Sequence, residues 1–168
     1  GALLYNSTVQ KNLENADIIL PSIDAGSEKT FRLINRPHPE LNFEIITEGL
    51  LQFQRKYQGL IWAEVMLVKK LNDSITELQN IASIIKKINP DKLYINVPIR
   101  PPTERWVEIP PAEKITAFAN FLPNSIEIIL PEQGDFTLVG NTFFEVKNEL
   151  IETIKRHPMR KDQIINNL

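Results

Sequence analysis

The stretch Ile18-Ile-Leu-Pro-Ser-Ile-Asp-Ala-Gly-Ser27 decides the fold. Its apolar residues run from Ile18 to Ile23 almost without a polar break, the pattern of a strand covered on both faces, as in parallel sheets. The run then stops and opens a helix from Ser27 to Ile34. Arg36-Pro-His-Pro39 ends that helix, because each proline disfavours helix at the residue before it. Two polar side chains, Ser22 and Asp24, stand where the strand gives way to the turn.

Working outward, residues 7–14 form a short helix capped by Asn6 or Ser7. Phe43, Ile46, Leu50, Phe53 and Tyr57 recur at helical spacing and predict an amphipathic helix over 42–57, with Asn42 as its cap. Gly59 breaks it, and Ile61 to Val68 is the second strand. Ser74 and Glu77 have capping-box spacing. The helix they start carries Ile75, Leu78, Ala82, Ile85 and Ile88 on one side, and Asn89-Pro-Asp91 stops it. Leu93 to Ile99 is the third strand. A loop with prolines clustered over 98–111 leads to a helix over 111–121 and a strand from Ser125 to Leu130. Strand and helix alternate with connections long enough for right-handed crossovers, so the fold class is α/β with a parallel sheet. Periodicity alone fits an open doubly wound sheet and part of a (βα) barrel equally well.

After Pro131 the style changes. Phe136 to Val139 reads as a short strand and 142–156 as a helix with Phe143, Val146, Leu150, Ile151 and Ile154 inward. A turn over 156–160 and a further helix over 162–168 have the form of the start of a winged-helix or helix-turn-helix module. The domain division is therefore 1–131 and 132–168, the latter a small helical segment.

The chain has 168 residues, 42% hydrophobic and 24% charged, ordinary for a globular protein with a real core. A net charge of −2 gives no global pull toward nucleic acid or an anionic membrane. No apolar run is long enough to cross a bilayer. Cysteine is absent, which excludes disulfides, thiolate catalysis and cysteine-ligated clusters within this chain and fits a cytoplasmic source. The chain opens at Gly1 without Met and stops inside an apolar pattern, so it reads as a piece of a longer protein. A sheet so interrupted exposes a strand edge, and the expectation is a dimer paired through it.

In parallel α/β folds, ligands sit beyond the carboxyl ends of the strands. Ser22 and Asp24 lie at such an end, where a hydroxyl and a carboxylate serve a hydroxyl-rich ligand or an amine; alternatively they cap the next helix. Glu64 lies inside the second strand. It meets a donor, cation or ligand if it faces the crevice, and solvent if it faces an edge. Asn96 and Arg100 raise the same alternatives at the third strand, as does Arg36 between a helix end and two prolines. His38 and His157 lack metal-ligand spacing, so no metal site is expected. There is no Gly-rich phosphate loop and no nucleophile elbow.

Three segments, "ADIILPSIDAGSEKTFRLINRP", "LIWAEVMLVKKLNDS" and "KLYINVPIRPP", in this order and spacing, resemble the later half of a radical S-adenosylmethionine (radical SAM) barrel. The branch they resemble is the Fe-S oxidoreductases related to the tRNA wyosine synthesis enzymes. The resemblance covers residues 1 to about 131, and Gly1 corresponds to the glycine ending the barrel's third strand. It implies the carboxyl-terminal part of a (βα) partial barrel, with three to four strands and flanking helices. It also implies an intact parent that binds SAM on a 4Fe-4S cluster and cleaves it reductively to start radical chemistry on a substrate such as an RNA base or a peptide. SAM would meet Ser22 and Asp24, then Glu64 and Met66, then Asn96 and Pro98. Arg36 and Arg100 are the candidate substrate contacts. The cluster loop would lie upstream of Gly1, so this chain holds no cluster and is expected to be inactive alone. The other expectation is a ligand-sensing α/β domain whose segment 141–168 binds nucleic acid, motivated by Lys147, Lys155, Arg156, Arg160 and Lys161.

Overall fold

The structure, a computed structural model, describes residues 2–98, 104, 106–130, 142–156, 161 and 165. The chain divides into two compact units, one of Gly1–Val97 and Glu108–Pro131, the other of Pro98–Val107 and Glu132–Leu168.

The first unit runs α1 (Ser7–Leu13), β1 (Ile18–Ile19), α2 (Glu28–Asn35), α3 (Phe43–Gln54), β2 (Leu60–Met66), α4 (Ile75–Ile88), β3 (Lys92–Asn96), α5 (Ala112–Asn120) and β4 (Glu127–Ile129). The strands lie in the order β1-β2-β3-β4 and every pair is parallel. This is the expected α/β architecture of parallel strands joined by helical crossovers.

Helices α1 to α4 each start where a short polar side chain takes up a free backbone N–H, whereas α5 starts after Pro111 with no side-chain cap. Asn6 accepts from Thr8 and Val9, Ser27 from Thr30, Asn42 from Ile45, and Ser74 from Glu77. Helices α2 and α4 end with Arg36 and Asn89 in the left-handed conformation.

Residue parity organises the sheet. In β2 and β3 the odd positions Ile61, Ala63, Val65, Leu93 and Ile95 are buried, and they pack with Leu50 and Phe53 of α3, Leu78, Ile81 and Ile85 of α4, and Phe118 of α5. The even positions Trp62, Glu64, Tyr94 and Asn96 face the other way and are half-buried. Register carries this parity across the strands, pairing Ile18 with Leu60, Glu64 with Tyr94 and Met66 with Asn96.

One expectation fails here. The first strand is neither six residues long nor covered on both faces: β1 is two residues, and Ile18 and Leu20 are 42% and 51% exposed. Pro21 has no N–H to give the ladder. Its carbonyl still accepts from the Glu64 N–H at 3.0 Å, Ile23 donates to the Glu64 carbonyl at 2.8 Å, and Ser22 bridges Glu64. Ile75, placed on the apolar side of α4, is also exposed.

In the second unit, α6 spans Phe143–Arg156. It opens with a reciprocal cap in which Thr142 Oγ1 accepts from Glu145 N–H and Glu145 Oε2 accepts from Thr142 N–H. Val146, Leu150 and Ile154 are half-buried, but Phe143 is 85% exposed and Ile151 40%. Ile151 stands about 100° round the helix from Leu150, off the apolar line, and Phe143 lies in the terminal turn. The strand expected over 136–139 falls outside the described residues, as does most of the turn and helix expected over 157–168.

Candidate functional site

Parity places Ser22, Glu64, Met66 and Asn96 on one face of the sheet, at or beyond the carboxyl ends of three neighbouring strands. Ser22 Oγ donates to Glu64 Oε1 at 2.7 Å, and Asn96 Nδ2 donates to Glu64 Oε2 at 3.4 Å. The Glu64 carboxylate is thus oriented from both sides by neutral donors. An ionised carboxylate offers about four acceptor positions, so acceptor capacity remains. Met66 stands on the same face, exposed.

Asp24 joins this group by another route. Its Oδ1 accepts from the Met66 N–H at 2.8 Å, and the Asn35 side chain also bonds its carboxyl. Burial pushes the Asp24 carboxyl above the ordinary carboxylate range; the Met66 and Asn35 hydrogen bonds pull it down, and the Glu64 charge pushes it up again. Neither Ser22 nor Asp24 caps α2, since Ser27 does. Ser22, Asp24 and Asn35 also line a cavity of about 400 Å³, whose apolar wall includes Phe31, Phe43 and Leu50.

Toward the amino end of the same face the chemistry changes. Lys92 Nζ lies 5.2 Å from the centre of the Trp62 ring, and the Tyr94 ring lies 6.2 Å from it. Trp62 Nε1 is buried without a partner among the described residues.

The remaining candidates stand apart. Arg36 is the left-handed cap of α2; the cavity lining includes its neighbours Asn35, Pro37 and His38. Pro98 follows Val97 at the end of the third strand and opens the second unit. Arg100 lies outside the described residues. Among the described residues no group of three or more His, Cys, Asp or Glu is placed to hold a metal ion.

Sequence reasoning missed two residues behind the rim. Asn72 is completely buried; its Nδ2 donates to the Asp24 carbonyl at 2.8 Å and to the Met66 carbonyl at 2.7 Å, and its Oδ1 accepts from Val68 N–H at 2.7 Å. Glu77, expected to close a local capping box, instead accepts from the Gly26 N–H at 2.6 Å and from Ser27 Oγ at 3.0 Å. The one signal available in sequence was two amide and carboxyl residues in a segment, "LNDSITE", that follows a strand end.

No family model matches the chain. It is 36% identical over 94% of its length to a protein named GTPase Obg from Brachyspira hyodysenteriae, of which it covers 23%. It is 32% identical over 98% of its length to a UPF0026 protein of Methanocaldococcus jannaschii, of which it covers 52%. A UPF0026 protein of Helicobacter pylori matches at 29% identity, again with 52% covered. The chain therefore spans about half the length of its UPF0026 relatives. Among solved structures, a domain of pyruvate-formate lyase-activating enzyme from Bacteroides vulgatus aligns with a TM-score of 0.61 at 10% identity over 78% of each chain. A radical SAM methyltransferase from Sphaerobacter thermophilus aligns with a TM-score of 0.57 at 16% identity, over 76% of this chain and 38% of that one. The chain shares with these two structures the parallel (βα) partial-barrel fold.

Proposed function

We propose that this chain is the carboxyl-terminal part of a radical SAM enzyme and that Ser22, Asp24, Glu64, Met66 and Asn96 contact its SAM. The observation that carries the reading is the convergence of Ser22 and Asn96, from strands on either side, on the Glu64 carboxylate at the carboxyl ends of the sheet. Glu64 offers acceptors to ribose hydroxyls. Ser22 and Asn96 fix its rotamer, and their own oxygens accept further donors. Met66 supplies an apolar surface beside them. Asp24, its carboxyl tied to the Met66 N–H of β2, sets a second carboxylate at the edge of the same group.

The chain has no cysteine, so the thiolates of a 4Fe-4S cluster would come from other residues of the parent. SAM reductively cleaved on that cluster would supply the radical; this chain's part is to bind and orient the nucleoside. The segments around Ser22 and Asn72 resemble those of the branch related to tRNA wyosine synthesis, and the substrate classes proposed for the parent are an RNA base or a peptide. A GTPase reading, prompted by the name of the Brachyspira relative, finds no Gly-x-x-x-x-Gly-Lys-Ser/Thr loop in these residues.

The test has two parts. Calorimetric titration of the chain with SAM should show binding that weakens about tenfold in Glu64→Ala, the loss of one charged hydrogen-bonding group. The full-length parent, reconstituted anaerobically, should release 5′-deoxyadenosine from SAM under reductant; an intact cluster that yields none would refute the proposal.

A further inference from the structure

We infer that Asn72 and Glu77 are positioning residues, which set the Asp24 carboxylate and the Met66 edge of the rim from behind without touching a ligand themselves. The inference rests on the reading of that rim as a ligand site.

The loop Asp24–Ser27 connects β1 to α2, yet three of its residues hydrogen-bond to Asn72, just before α4, and to Glu77 in the first turn of α4. The Asp24 carbonyl accepts from Asn72, the Gly26 N–H donates to Glu77, and the Ser27 hydroxyl donates to Glu77. Three of four successive residues are thus held by two side chains. Asn72 holds the other strand as well, accepting from Val68 N–H and donating to the Met66 carbonyl. Met66 in turn donates its N–H to the Asp24 carboxylate. This closes a ring: Asp24 side chain to Met66 amide, Met66 carbonyl to Asn72, Asn72 back to the Asp24 carbonyl.

The ring fixes the spacing between the tips of β1 and β2 through a group that is fully buried and has its amide donors and acceptor filled. Buried polar networks of this kind are rigid when complete and costly when one member is lost. A carboxylate that accepts from the next strand, on a residue whose carbonyl is held by Asn72, keeps one orientation. Glu77 makes the same demand of Gly26 and Ser27. A purely local cap would return the Glu77 carboxylate to the N-cap residue Ser74; here it goes fifty residues back along the chain.

The test uses the ¹⁵N-labelled chain and no ligand, so its failure is separate from any failure to bind SAM. Because the Met66 N–H donates to the Asp24 carboxylate, its proton shift should titrate with Asp24. In Glu77→Ala and Asn72→Ala the amplitude of that titration should fall by about half or more, and Gly26 amide exchange should quicken about tenfold or more as the loop opens locally. Glu77→Gln keeps an acceptor for Gly26 and should restore both. A folded Glu77→Ala with a lower melting temperature but a wild-type Met66 titration would overturn the inference. Should the alanine variants not fold, exchange in the wild-type chain decides. Gly26 and Met66 amides should exchange within about threefold of the α4 core amides, as parts of one unit. Exchange faster than α4 by about a hundredfold would overturn the inference.

Discussion

Gly26→Ala tests how closely the loop lies against α4. A Cβ at Gly26 would sit 2.5 Å from Asn80 Cβ, 2.8 Å from the Ile81 nitrogen and 3.0 Å from the Glu77 carbonyl oxygen. Two of these three atoms are helix backbone and cannot rotate aside. No glycine among the described residues has a positive φ, so the backbone at position 26 suits alanine and the penalty is steric. Overpacking of this kind costs about 1–3 kcal/mol. The loop must also withdraw from Glu77, stretching the 2.6 Å bond from the Gly26 N–H; a hydrogen bond to a charged group contributes about 1.5–3 kcal/mol. Against this, the stiffer unfolded chain returns about 0.4–1 kcal/mol. The net expectation is a destabilisation of about 2–5 kcal/mol, read from the midpoint of urea unfolding at unchanged slope. Because clash and lost bond share one cause, Gly26→Ala and Glu77→Ala should be less than additive when combined. A Gly26→Ala chain within about 0.5 kcal/mol of wild type would refute the claim that the loop is seated on the helix.

Further outcomes are expected. Since the Asp24 carboxyl is raised, mainly by burial, the folded state holds its proton to higher pH than the unfolded state does. Stability from this group therefore falls as pH rises from the unfolded carboxylate value through the raised folded one. Asp24→Asn, which keeps an acceptor for Met66, should raise the melting temperature at pH 7 and lose that advantage as the buffer is brought below pH 4, measured by calorimetry. Ile85→Ala, at a fully buried position of α4, should cost about 2–5 kcal/mol in the same urea assay. The open edge of β1, with Ile18 and Leu20 exposed beside it, should pair with a second copy. Light scattering at high protein concentration should then report a dimer that Leu20→Lys disperses; a wild-type monomer contradicts the pairing.

Much of the first unit was legible because its signals are local. Phe43, Leu50 and Phe53 recur at helical spacing, Asn42 and Ser74 stand at helix starts, and each does what the pattern predicts. The grouping of Ser22, Glu64 and Asn96 followed from parallel strands whose ends share one edge. What stayed hidden was tertiary. The run Ile18–Ile23 reads the same whether one face is covered or both, so neither the short pairing imposed by Pro21 nor the open face could be seen. Asn72 and Glu77 sit at ordinary helix-start spacing, yet each also bonds a residue about fifty positions away, Asp24 and Gly26 respectively. Nothing in a one-dimensional pattern distinguishes a local cap from a strut across the fold.

The alternation along β2 has an evolutionary corollary. A single inserted or deleted residue would exchange Glu64 for Ala63 or Val65 at the rim and drive a carboxylate into the apolar layer. Change in such a strand is therefore confined to replacements in place. Glu64 and Met66 face the proposed ligand side and the odd-numbered residues the apolar core, so the rim can change by point substitution while the scaffold stays as it is.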